Sequence, residues 1–113
     1  NQSKPRSQPM KTITVHQLKE MRDQNDDFQL LDVREDHERF MSDLGGIPLP
    51  LAQLESRLSE LDPEKPLVVM CRSGSSSLDA CKLLEKNGFK EVIQLDGGIN
   101  AWAREIDPTM PVY

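Results

Sequence analysis

Short apolar runs alternate with helical patterns along this chain. Runs typical of strands occur at residues 12–15, 28–33, 67–70 and 92–95, and each is followed by a stretch with a helical pattern. The run at 28–33 is nearly continuous in apolar residues, as expected for a strand that is covered on both faces. Because strands that alternate with helices usually pair in parallel, the sequence predicts an α/β fold with a mostly parallel central sheet and helices on both faces.

Leucine spacing places two of the helices. One begins near residue 51 and has apolar residues at intervals of three, four and three: Leu51, Leu54, Leu58 and Leu61. The other follows Cys71, and its predicted core stripe consists of Leu78, Cys81 and Leu84. One or two helical turns are predicted at residues 35–41, and a loop at 42–50. A short final helix should follow the Asp96-Gly97-Gly98 turn.

Size and charge exclude several function classes. The chain has 113 residues, which fits one domain, and its net charge of −5 argues against a nucleic-acid surface. The longest apolar run, residues 67–71, is too short to cross a membrane. Residues 1–10 are polar, and we expect them to be a disordered linker or a remnant of expression, with the domain at 11–113. Two cysteines without a secretory signal suggest free thiols in the cytoplasm.

The predicted central strand ends at Cys71, and a small polar loop leads directly into the next helix. The loop residues are Arg72, Ser73, Gly74, Ser75, Ser76 and Ser77. Backbone amides and a helix N-terminus at this position favour thiolate over thiol, and Arg72 adds positive charge. Such a cradle suits a thiolate, a persulfide or an oxyanion. The alternative is that Cys71 is a small buried apolar residue before an ordinary turn.

Two enzyme chemistries use a cradled cysteine thiolate. Cysteine phosphatases carry Cys-x5-Arg, whose arginine binds the phosphate. The sixth residue after Cys71 is Ser77, so phosphatase or arsenate-reductase chemistry is disfavoured. The other of the two chemistries, sulfur transfer through a Cys71 persulfide, is therefore favoured.

The motifs of this chain resemble those of the rhodanese family. They are LLDVRE at 30–35, IPL at 47–49, VVMCRSG at 68–74, LLEKNGF at 83–89 and LDGGINAW at 95–102. The resemblance covers about residues 11–113. It implies a single compact α/β domain with a mostly parallel sheet of about five strands. It also implies a sulfurtransferase that needs no cofactor, with Cys71 as nucleophile and the following loop as the persulfide cradle.

Two longer stretches, residues 42–63 and 102–113, resemble the rhodanese domain found behind ubiquitin-activating-like adenylyltransferases of the molybdopterin and thiamine type. That resemblance implies an upstream adenylyltransferase domain and a ubiquitin-like sulfur-carrier protein as acceptor. The implied sulfur donor is thiosulfate or the persulfide of a cysteine desulfurase. Many single rhodanese domains have a basic residue where this chain has Ser76, so a protein persulfide is expected to be the better donor here.

Other residues are assigned supporting or packing roles. Asp32 and Arg34 match the family's DVR signature, and Arg34 is expected to pair with Glu38 as part of the scaffold. Trp102 is expected in the core. Cys81 is interpreted as inert packing, with a resolving thiol as the alternative. His16 and His37 lack ligand-like spacing, so no metal site is predicted.

The sequence thus predicts a sulfurtransferase. The alternative from another class is a non-catalytic rhodanese module used for docking or regulation, which the neutral Ser76 leaves open.

Overall fold

The computed structural model describes residues 11–35, 45–72 and 75–110, and the side chains of residues 75 and 76 lie outside the description. The strands are β1 Lys11–Ile13, β2 Gln29–Asp32, β3 Ile47–Pro48, β4 Leu67–Met70 and β5 Val92–Leu95. The helices are α1 Val15–Asp23, α2 Leu51–Leu54, α3 Ser75–Lys86 and α4 Gly98–Glu105, and a 3₁₀ segment, Glu55–Glu60, continues α2.

The five strands form one sheet in the order β1-β5-β4-β2-β3, and all the neighbouring pairs are parallel. The central strand is β4, whose Met70 lies opposite Asp32 of β2 and whose Val69 lies opposite Gln94 of β5. The predicted α/β domain with a parallel sheet of about five strands is confirmed. Its crossover connections bring the carboxyl ends of all five strands to one edge of the sheet.

Two apolar cores cover the two faces of the sheet. Side chains alternate along β4, so Val69 and Cys71 belong to one core, while Val68 and Met70 belong to the other. The first core lies under α2 and α3; the second lies under α1 and α4. All four residues of β4 are fully buried, which explains why its sequence is continuously apolar.

The first strand is shorter than predicted. Residues 12–15 were expected to be extended, but β1 ends at Ile13 and Val15 is the first residue of α1. Thr14 caps this helix: its side chain accepts from the Gln17 amide at 3.2 Å, and the Gln17 side chain accepts from the Thr14 amide at 2.8 Å. This capping box outweighs the strand preference of the β-branched residues.

The loop predicted for residues 42–50 contains a strand in its described part. Ile47 and Pro48 pair with Leu31 and Asp32 at the edge of the sheet. Proline is tolerated at this position because an edge strand needs no donor on its outer side. Two residues are too few to produce a periodic pattern, which is why the strand was missed.

The leucine helix was predicted correctly in its burial but not in its geometry. Leu54 and Leu61 are buried, and Leu51 and Leu58 are half-buried. The α-helix, however, ends at Leu54, and the 3₁₀ segment that follows is interrupted at Arg57, with φ −122° and ψ 20°.

Leu78 does not lie on the core stripe of α3, contrary to prediction. It is 38% exposed, whereas Ser77, Ala80, Cys81 and Leu84 are all fully buried. The buried face of α3 therefore starts at Ser77, one residue before Leu78. A polar residue lies where the periodicity predicts an apolar one.

The helical turns predicted at residues 35–41 fall almost entirely outside the described residues. Among the helices that the structure describes, none is long and apolar enough to cross a membrane.

Candidate active site

Cys71 lies at the carboxyl end of the central strand. It directly follows β4, is 2% exposed, forms no disulfide, and lies within the core under α2 and α3. The helix α3 begins four residues later, at Ser75, so its N-terminus is adjacent in sequence to the sulfur. Of the predicted loop residues, the structure describes the side chains of two: Arg72 is exposed and Ser77 is fully buried. Ser73 and Gly74 lie outside the described residues, as do the side chains of Ser75 and Ser76.

The N-terminus of α4 holds the backbone of Cys71 and Arg72. The Ile99 amide donates to the Cys71 carbonyl at 2.9 Å, and the Asn100 amide donates to the Arg72 carbonyl at 3.0 Å. These amides belong to the first turn of α4, where backbone donors have no partner within the helix. Each carbonyl is thereby directed toward α4, which fixes the backbone on both sides of the peptide bond between Cys71 and Arg72.

Gly98 allows this close approach. Its φ is +60°, in the left-handed region, and a Cβ atom there would overlap the Cys71 carbonyl oxygen and lie 2.7 Å from the Arg72 carbonyl group. The predicted turn is present, with Asp96 and Gly97 preceding the helix. Its contact with the Cys71 loop was missed. The only signal in the sequence was a pair of glycines before a helix.

Asp32 and Arg34 form a buried ion pair at the end of β2. Arg34 donates to Asp32 through its backbone amide at 3.0 Å, through Nε at 2.9 Å and through Nη2 at 2.7 Å. The two side chains are 0% and 1% exposed, and the bidentate geometry compensates both charges. The Val33 amide between them donates to the Met70 carbonyl at 3.0 Å, which joins this strand end to β4 beside Cys71. The predicted partner, Glu38, lies outside the described residues.

Gln94 was not singled out from the sequence, although it contacts a predicted loop residue. Its Nε2 donates to Ser77 Oγ at 3.2 Å. Gln94 lies on β5 and is half-buried. The sequence signal that could have pointed to Gln94 was a glutamine within an otherwise apolar strand.

Cys81 is buried on the sheet side of α3 and is a free thiol. Burial raises the pKa of the Cys81 thiol to about 12, and the negative charges of Glu85 and Cys71 add smaller upward contributions. Cys81 therefore stays protonated at neutral pH, which suits the packing role predicted for it and disfavours nucleophilic attack by this thiol.

The remaining predictions concern the core and metals. Trp102 is buried as expected, and the Arg22 guanidinium lies 5.5 Å from the centroid of its ring. His16 is exposed and pairs with Glu105 at 2.9 Å, while His37 lies outside the described residues. Within the described ranges, no group of three or more acidic, histidine or cysteine side chains could hold a metal ion.

The profile of the Rhodanese-like domain family matches residues 14–105. The chain is 36% identical over 109 residues to "Adenylyltransferase and sulfurtransferase MOCS3-1" of Zea mays, covering 89% of this chain and 23% of that protein. It is also 36% identical over 103 residues to "Putative sulfurtransferase YtwF" of Bacillus subtilis, covering 88% of this chain and 96% of that protein. The crystal structure of a rhodanese-like domain protein from Staphylococcus aureus superposes with a TM-score of 0.78 at 27% identity, covering 92% of this chain and 99% of that one.

This chain belongs to the rhodanese-like domain family. Its homologues include proteins named as sulfurtransferases, both as single domains and within longer adenylyltransferases. The chain spans about a quarter of the length of the maize protein.

Proposed function

We propose that this chain is a rhodanese-type sulfurtransferase that carries sulfane sulfur as a persulfide on Cys71. The observation that supports this most is the position of Cys71, at the end of the central strand and immediately before α3, in a chain of the rhodanese-like family. The partial positive charge at the N-terminus of a twelve-residue helix stabilises an anion at this position. Neither cysteine forms a disulfide, which fits the cytoplasm or another reducing compartment.

In the first step the Cys71 thiolate attacks the outer sulfur of a donor. With thiosulfate, a bond forms between Sγ and the sulfane sulfur, the sulfur–sulfur bond of thiosulfate breaks, and sulfite leaves with the bonding electron pair. With a protein persulfide as donor, the leaving group is the donor's cysteine thiolate. The exposed Arg72 attracts the anionic donor, and the amides of residues 72–77 hold the new persulfide anion.

In the second step the outer sulfur passes to an acceptor. With a thiophilic nucleophile such as cyanide, a bond forms to the outer sulfur, the sulfur–sulfur bond breaks, and Cys71 leaves as the thiolate. The maize homologue is named as both an adenylyltransferase and a sulfurtransferase. By analogy, we propose that the acceptor here, in molybdopterin or thiamine synthesis, is a ubiquitin-like sulfur-carrier protein activated at its C-terminus by an adenylyltransferase domain. This acceptor is an electrophile: the outer sulfur of the persulfide attacks the adenylated carbonyl carbon, the bond to the adenylate oxygen breaks, and AMP leaves. Two external thiols then reduce the sulfur–sulfur bond to Cys71, which releases the carrier thiocarboxylate and the Cys71 thiolate and leaves the two thiols as a disulfide. Residues 1–10 would then be a linker to that domain, and residues 11–113 the rhodanese domain.

The buried pair of Asp32 and Arg34 supports the site without touching sulfur in this proposal. The two side chains bond each other, and the Val33 amide between them donates to the Met70 carbonyl, which joins this strand end to β4. The neutral Ser76 reduces the positive charge of the cradle, so we expect a protein persulfide to be a better donor than thiosulfate.

A non-catalytic docking module is the second candidate. One observation favours it: Leu78, the single large apolar side chain that is exposed within the described residues, lies one residue after the Cys71 loop. In that case the loop region would bind a partner without sulfur transfer.

Thiocyanate formation from thiosulfate and cyanide distinguishes the two candidates. A sulfurtransferase releases thiocyanate with repeated turnover, and Cys71→Ser abolishes the release. If the wild-type protein releases none with either thiosulfate or a persulfidated cysteine desulfurase, the docking module is the better account.

A further inference from the structure

One polar side chain of β5 is directed toward α3. Val92, Ile93 and Leu95 are buried in the two cores, while Gln94 is half-buried between them. Because side chains alternate along a strand, Gln94 is on the same sheet face as Val92, and Val92 belongs to the core that contains Cys71. Gln94 also lies opposite Val69, two residues before Cys71. It is therefore under the first turns of α3, close to the end of the central strand.

Ser77 is the group that Gln94 contacts. It is fully buried in the first turn of α3, and its Oγ accepts the 3.2 Å hydrogen bond from Gln94 Nε2. An aliphatic residue at position 94 would extend the apolar core. A buried amide destabilises the folded state unless it is hydrogen-bonded. The Gln94–Ser77 pair therefore keeps a polar contact at a position where an apolar side chain would be sufficient for stability.

The geometry of α3 brings Ser77 toward the sulfur. Ser77 and Cys81 are four residues apart, so they lie on one face of the helix, one turn from each other. Cys81 belongs to the same apolar core as Cys71. Since α3 starts at the loop end of the sheet and runs back across it, Ser77 is one turn nearer than Cys81 to the edge where Cys71 lies.

A serine hydroxyl has one proton to donate and two lone pairs to accept with. A hydrogen bond accepted from Gln94 occupies one lone pair, so the proton is directed away from Gln94. We propose that Gln94 is a positioning residue that aims the Ser77 hydroxyl at the sulfane sulfur on Cys71. The outer sulfur of a persulfide is an anion, and a hydrogen bond to it is charge-assisted. This inference rests on the proposed sulfurtransferase function and adds a specific donor to it.

Three single variants test the positioning role in the thiosulfate–cyanide assay. Ser77→Ala removes the donor and should lower kcat about tenfold, the effect of losing one hydrogen bond to a charged group. Gln94→Met keeps the length but not the hydrogen bond, and should lower kcat about fivefold because the hydroxyl is no longer oriented. Gln94→Glu should lower it more than Gln94→Met, because a carboxylate only accepts and takes the Ser77 proton for itself. The KM for thiosulfate should change less than twofold in Ser77→Ala and Gln94→Met, since the hydroxyl binds the sulfur after transfer.

The double variant separates positioning from packing. If Gln94 acts through Ser77, then Gln94→Met causes no further loss of kcat in the Ser77→Ala background. Additive losses would overturn the inference, because Gln94 would then act by another route.

Gln29 provides a matched control. It is also a half-buried strand glutamine, and its side chain bonds the backbone of Asp62 at 2.9 and 2.8 Å, at the opposite end of the sheet from Cys71. Gln29→Met should lower the unfolding midpoint and leave kcat unchanged. If Gln94→Met behaves like Gln29→Met, with lower stability and an unchanged kcat, its role is structural and the inference fails while the proposed function stands. If the wild-type protein itself transfers no sulfur from either donor, the proposed function fails and this inference fails with it.

Discussion

Gly98 is in contact with the backbone that carries Cys71, and its requirement for glycine has two separate causes. One is the positive φ of +60°, which disfavours any side chain. The other is space, because a Cβ atom would overlap the Cys71 carbonyl. Only the second cause links this residue to the site. A substitution here should therefore affect stability and sulfur chemistry together.

We predict that Gly98→Ala lowers the free energy of unfolding by about 2–4 kcal/mol, which combines backbone strain with overpacking. It should also slow sulfur loading on Cys71, because the hydrogen bonds from Ile99 and Asn100 to the loop must shift. Urea unfolding and the rate of persulfide formation measure the two effects.

Gly88→Ala is the control for Gly98→Ala. Gly88 has a φ of +88°, and a Cβ atom there would meet nothing within 4 Å. This variant should cost about 1 kcal/mol from φ strain alone and leave sulfur loading intact. Equal losses of loading in both variants would contradict a specific link between Gly98 and the loop.

Among the elements, the end of β2 carries a buried ion pair, and a backbone hydrogen bond from Val33 to Met70 joins this end to β4 beside the candidate nucleophile. Removing one charge of such a pair leaves the other buried without compensation. We predict that Asp32→Ala or Arg34→Met costs about 3–5 kcal/mol of unfolding free energy.

The double variant Asp32→Ala with Arg34→Met should cost less than the sum of the single losses, because no charge remains buried. Chemical denaturation of the four proteins completes this cycle. A fully additive result would mean that the two side chains do not act as a pair.

The elements that could be predicted are those with a strong local pattern. The continuous apolar run of β4, followed by Cys71 and small polar residues, specified both the central strand and the candidate nucleophile. The contact between Ile99 and Cys71 could not be predicted, since it joins residues 28 positions apart and depends on how α4 packs. The exposure of Leu78 was missed for a related reason: apolar periodicity does not reveal that buried Ser77 takes the core-facing position.

At the scale of the whole molecule, the folded state keeps one thiol fully buried and protonated. Burial raises the pKa of Cys81 to about 12, whereas in the unfolded chain a thiol titrates near its ordinary value of about 8.5. The native state therefore holds this proton after the unfolded state has released it. The stabilisation is complete below pH about 8.5 and is lost as the pH rises toward about 12.

We predict that stability falls by up to about 1.4 kcal/mol per pH unit between pH about 9 and 12 from this one group. Cys81→Ala should remove that part of the slope and leave sulfur transfer unchanged. Urea unfolding of both proteins across this pH range gives the difference. Identical slopes would show that Cys81 titrates alike in the folded and unfolded states.

Sulfur transfer by this domain depends on a persulfide at Cys71, which intact-mass spectrometry can detect. Wild type, Cys71→Ser and Cys81→Ala are each treated with thiosulfate or with a persulfidated cysteine desulfurase, and are then exposed to cyanide. If Cys71 carries the sulfur, wild type and Cys81→Ala gain the mass of one sulfur atom, cyanide removes it, and Cys71→Ser gains none. Sulfur retained by Cys71→Ser, or no sulfur on any of the three proteins, would contradict this role of Cys71.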